Sequence, residues 1–79
     1  MDKMFLVIRE KMKEREADIS GFPSLDDAIS DWLKDNENAH IVKLTITSYR
    51  IRDYNDERKF LQTDMIQEKD IWKRAYELK

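Results

Sequence analysis

The 79 residues, 41% charged and 41% hydrophobic, are enough for one small domain. A chain this short buries only about 60% of the surface its unfolded form exposes, which leaves little room for a closed active site. The absence of cysteine excludes a disulfide framework, a thiolate nucleophile and a thiolate metal site, and fifteen Lys and Arg against seventeen Asp and Glu leave a net charge of -2. That balance is neither the profile of a strongly basic nucleic-acid binder nor that of an acidic mimic. Residues 1–40 hold ten acids and six bases, residues 41–79 seven and nine, a mild asymmetry able to orient a partner.

Residues 4–8, Met-Phe-Leu-Val-Ile, read as a short strand closed by Arg9 and Glu10, and their unbroken apolarity suggests cover on both faces. The run is too short for a signal peptide and far below the ~20 residues of a membrane span, so a cytoplasmic setting is expected. Residues 9–18 have only Met12 and Ala17 as apolar anchors. They are open to reading as a strand extension, a helical turn or a loop, and are taken as a charged connection. Gly21-Phe22-Pro23-Ser24 is the clearest punctuation in the chain. Proline holds Phe22 extended, and Ser24 stands at an N-cap position from which its hydroxyl can accept the N–H near Asp27. A helix over residues 25–36 follows, with Leu25, Ala28, Ile29, Trp32 and Leu33 on one stripe.

Residues 41–52 form the strongest predicted strand, rich in Thr, Ile, Val and Tyr. Val42, Leu44 and Ile46 alternate toward an expected inner face. Tyr49 and Ile51 are out of phase with them, implying a bulge near Thr47 and Ser48 or partial cover of both faces. Residues 53–57 carry turn chemistry, and the strand resumes near Arg58. A two-residue turn at Asn55-Asp56 pairs Ile51 with Phe60, Ile46 with Met65 and Arg52 with Lys59; a four- or five-residue loop would shift these pairs. Residues 67–78 read as a second helix with Ile71, Trp72, Ala75, Tyr76 and Leu78 on its apolar side. The expected fold is a single α+β domain: a mostly antiparallel three-stranded sheet packed against two helices, in the order β-α-β-β-α. If the first strand runs parallel to the one after the helix, the crossover is right-handed. The expected core is Phe5, Val7, Leu25, Ile29, Trp32, Leu33, Val42, Leu44, Ile46, Phe60, Ile71 and Ala75.

Chemistry finds little support. His40 is the only histidine and has no ligand-type partner in sequence. Asp27, Asp31 and Asp35 recur every four residues, which reads more simply as a solvated face than as a cation site. No serine lies in a nucleophile elbow, and a single glycine excludes the phosphate-binding glycine fingerprints. The chain is therefore expected to be no enzyme, and to use no cofactor and no metal.

The expected function is a small non-enzymatic protein-interaction or regulatory domain whose partner is another protein or a second copy of itself, with no membrane role. Its candidate contact residues are Tyr49, Ile51, Tyr54, Trp72 and Tyr76, amphipathic or apolar groups beyond what a small core needs. The alternative is a nucleic-acid-binding accessory using the 49–60 ribbon, with Arg50, Arg52, Arg58 and Lys59 as its cations. On that alternative, reversing Arg50 and Arg52 to glutamate abolishes salt-dependent binding of labelled DNA and RNA oligonucleotides, read by fluorescence anisotropy, with the fold intact. Unchanged binding removes the ribbon as the site.

Overall fold

The computed structural model describes residues 2–11, 13–51 and 56–78, with side chains described for all of these except 49–51, 56 and 57. In chain order the elements are β1 (Asp2–Lys11), β2 (Glu16–Phe22), α1 (Leu25–Lys34), β3 (Ala39–Ile51), β4 (Asp56–Ile66) and α2 (Glu68–Glu77). The strands form one four-stranded antiparallel sheet of order β2-β1-β3-β4. The α+β class is as expected, but the sheet has a fourth strand and the order is β-β-α-β-β-α. Two ββα units therefore follow one another, with their first strands side by side at the centre.

The extra strand is β2, which begins within the 9–18 segment expected to be a charged connection and runs on to Phe22. β1 runs on to Lys11 and the chain has turned back by Glu16, so that Lys11 pairs with Glu16 and Arg9 with Asp18. Arg15 holds the left-handed conformation of this turn, at φ 53°. Glycine or asparagine usually marks that conformation, because a Cβ there costs roughly 1 kcal/mol. Charges of opposite sign meet across the hairpin, with Lys11 Nζ 3.1 Å from Asp18. The hydrogen bond to Asp18 raises the Lys11 pKa. With β2 present, β1 and β3 are antiparallel neighbours and no parallel crossover arises.

Helix α1 starts as its sequence predicts. Ser24 is extended, and its hydroxyl accepts from the Asp27 N–H at 3.2 Å. The helix stops at Lys34, short of the expected residue 36, and Arg9 from β1 meets its end. The guanidinium donates to the Asp31 carboxylate at 2.8 Å and to the carbonyls of Asp31 and Asp35 at 2.6 and 3.0 Å, satisfying acceptors that a helix C-terminus leaves open. Asn38, at φ 54°, turns the chain into β3. Asparagine tolerates this region better than most residues.

Both helices lie on one face of the sheet. The core there is Val7, Ala28, Ile29, Trp32, Ile41, Ile71 and Ala75, with Phe5, Phe22, Leu25, Ala39 and Ile66 packed against it. The two helices bury matching positions: Ala28 and Ile71 are each fourth in their helix, and Trp32 and Ala75 each eighth. Trp32 is 1% exposed and donates its indole N–H to the Ala39 carbonyl at 3.1 Å. Several expected core residues lie elsewhere. Val7 pairs with Ile41, so alternation along β3 turns Val42, Leu44 and Ile46 to the face away from the helices. Leu33 and Phe60 are exposed. The β3–β4 ladder is continuous from Ile41–Ile66 to Ile51–Asp56, so the first of the two alternatives for Tyr49 and Ile51, a bulge near Thr47 and Ser48, is absent, while residues 52–55, which include Asn55 of the expected turn, lie outside the described residues. Ile46 therefore pairs with Leu61, Ile51 with Asp56, and Lys59 with Ser48. This slip from the expected register is an even number of residues, so each described β4 residue stays on the same side of the sheet as the β3 residue it was expected to pair with.

Trp32→Ala is expected to lower unfolding free energy by about 3–5 kcal/mol in urea titrations followed by circular dichroism, the usual cost of removing a buried tryptophan. A loss below about 1 kcal/mol would show that this side chain is not central to the core.

Candidate interaction surface

Among the described residues, none forms a layer over the sheet face away from the helices. From β1 it presents Met4, Leu6 and Ile8, and from β2 Ala17, Ile19 and Gly21. β3 adds Val42, Leu44 and Ile46, and β4 adds Leu61, Thr63 and Met65. None of these positions is charged. Cross-strand pairing sets them in apolar rows: Leu6 lies beside Gly21 and Val42, Val42 beside Met65, Met4 beside Leu44, and Ile46 beside Leu61. Ile19, Leu61 and Met65 are 62%, 68% and 61% exposed. Charge appears only at the ends. Glu10 lies 3.7 Å from His40 at one end, and Asp2 and Lys59 stand toward the other.

Gly21 shapes this face. A Cβ placed on it would come within 3.1 Å of the Met4 thioether sulfur and methyl group, so the missing side chain lets Met4 lie across β2. A flexible thioether over a glycine makes a surface able to adjust to what covers it.

The helix side holds a smaller feature. Leu33, Trp72, Ala75 and Tyr76 line a shallow groove of about 260 Å³. Trp72 and Tyr76, both expected contact residues, meet here. Trp72 is 39% exposed, packs edge-to-face on Trp32 with centroids 5.1 Å apart, and donates its indole N–H to Glu68 at 3.3 Å. It is both a wall of the core and part of the surface. Tyr76 is 72% exposed. Beside the groove, Arg74 grips Asp26 with two hydrogen bonds of 2.8 and 2.9 Å and reaches Glu77 at 3.0 Å, tying α2 to the first turn of α1. These bonds hold the Asp26 carboxyl below its ordinary pKa and Arg74 above its own. A second hollow of about 370 Å³, between the α1–β3 turn and the start of α2, is lined by Asn36, Asn38, His40, Gln67 and Glu68 among others.

The remaining predicted residues form no shared patch among the described side chains. Tyr49, Arg50 and Ile51 are placed on β3 by their pairing with Arg58, Glu57 and Asp56. Their side chains, and the whole of Arg52 and Tyr54, lie outside the described residues. Arg58 and Lys59 are exposed neighbours on β4, and strand alternation sends them to opposite faces of the hairpin rather than into one basic patch. Among the described residues no three His, Asp or Glu side chains gather as a metal site, and no helix is long and apolar enough to cross a membrane. The open face itself was not read as a surface from sequence. The signal was the strict alternation of Val42, Leu44 and Ile46, which identifies an apolar face without saying whether helices cover it.

No protein-family model, curated protein or solved structure matches the chain.

Asp26 has a depressed pKa, so its bond to Arg74 contributes stability above the ordinary carboxylate range and loses it as pH falls through the folded value. Asp26→Asn is therefore expected to lower the urea midpoint near neutral pH, and the gap from wild type should close below about pH 4. A gap that persists undiminished in acid would show that charge in the Arg74 pair is not its cause.

Proposed function

We propose that this chain is a non-enzymatic protein-interaction domain and that the open sheet face is its contact surface. One observation carries the reading: a four-stranded sheet with helices on one side and an uncharged, apolar centre on the other. Monomeric proteins rarely leave a contiguous apolar area of more than a few hundred Å² in water, and larger ones mark contact sites. Interface centres are likewise depleted in charge and ringed by polar groups, which is the distribution this face shows. The helices hold the sheet rigid, so the surface is largely formed before it meets a partner. Trp72 and Tyr76 on the helix side form a smaller secondary area.

Charging the face tests this. Ile19→Glu combined with Leu61→Glu alters two exposed side chains, so each change should shift folding by about 0.5 kcal/mol or less. Cross-linking in expressing cells followed by mass analysis should show protein adducts of the wild type and of Tyr76→Glu, and none of the doubly charged variant. Adducts undiminished in that variant would place the contact elsewhere and overturn the reading.

A further inference from the structure

Resting on that reading, we infer that the occupant of the open face is a second copy of this chain, packed sheet against sheet about a two-fold axis.

Surface area supports this first. The chain exposes 6542 Å². A compact monomer of 9.6 kDa exposes only about 5,100 Å², so this chain has an excess of about 1,400 Å². Its radius of gyration is 15.6 Å, against about 12 Å for a compact chain of this length. The shape accounts for both, because the molecule measures 49 × 34 × 17 Å and is a slab of one sheet and one helix layer. A standard protein interface removes ~800 Å² from each partner, and obligate dimers remove more. The excess is enough for an interface of that size.

Shape and chemistry supply the second support. Two sheets pack face to face about 10 Å apart when both inner faces are apolar, and the angle between them follows from sheet twist. The open face meets that requirement against itself. An isologous interface needs a surface complementary to its own copy, and apolar rows without charge satisfy this at the centre. A two-fold axis across the face, between the Met4–Leu44 and Leu6–Val42 pairs, lays apolar row over apolar row. The result is a four-layer arrangement, helices–sheet–sheet–helices, with the missing half of the core supplied by the partner.

The test is sedimentation equilibrium of the purified full chain across the micromolar range, with wild type, Ile19→Glu/Leu61→Glu and Tyr76→Glu compared. The expected mass is twice 9.6 kDa for wild type and Tyr76→Glu. The doubly charged variant should be a folded monomer, its self-association weakened ~100-fold or more because each substitution enters the interface twice. Should that variant not fold, the wild-type thermal midpoint is the second measurement. It must rise with protein concentration, and a constant midpoint overturns the dimer. A monomeric wild type that binds anilinonaphthalene sulfonate, with binding lost in the doubly charged variant, overturns the second copy while the docking face stands. A monomeric wild type that binds no dye overturns both. A dimer that survives in the charged variant overturns the face-to-face arrangement.

Discussion

Val7 and Ile41 stand opposite each other in the two central strands, and both are completely buried. That pairing determines which half of every strand faces the helices. A sheet has a side-chain period of two, so one buried pair commits Phe5, Ala39 and Ile66 to the same side and sends Leu6, Val42, Leu44 and Met65 to the other. Trp32 closes over the pair from α1, and Ile71 and Ala75 close over it from α2. Moving either central strand by one residue would turn Leu6 or Ile8, or His40 or Val42, toward the helices and send Val7 or Ile41 to the open side.

The helices cannot cover more than they do. Each has ten residues, about 15 Å of length, whereas β3 has thirteen residues and spans about 43 Å. One face of the sheet near its β2-β1-β3 centre is therefore dry and the opposite face is open. The fold carries two apolar layers and fills only one from within. The proposed function rests on that imbalance: an apolar sheet face backed by its own helices would meet a partner with little rearrangement.

Polar ties orient the layer that is filled. Arg9 joins β1 to the end of α1, and Arg74 joins α2 to its beginning. Each is a guanidinium held in a forked set of bonds, which gives direction as well as attraction. Partial exposure keeps their energies modest. Their value is geometric: α1 is anchored at both ends, so Trp32 has one seat and Trp72 one edge of Trp32 to pack on. The Asp27, Asp31, Asp35 ladder divides accordingly. Its middle member belongs to Arg9, so a regular acidic spacing concealed one structural residue.

Local physics made much of this legible in the residues alone. Ser24 after Pro23, the stripe Leu25-Ala28-Ile29-Trp32, the β-rich run from Ile41 and the apolar side of α2 are short-range patterns, and they produce the elements they imply. Trp72 and Tyr76 read from sequence as part of the apolar side of the second helix and as spare aromatics, and the structure places them at the margin of its buried stripe. The β1–β2 hairpin was not legible, because its turn is made by charged residues with Arg15 in a conformation that glycine or asparagine normally signals. The open face was not legible either. Alternation shows that Val42, Leu44 and Ile46 share a side, but Ile41 competes for the core from the other side, and the choice depends on β1 and the helices packing against it. Sequence by itself determined α1, β3, β4, α2 and the start of β1, and that Val42, Leu44 and Ile46 share a side. Only the tertiary structure decided which face the helices would cover, because that depends on long-range register and helix length, neither of which any single segment encodes.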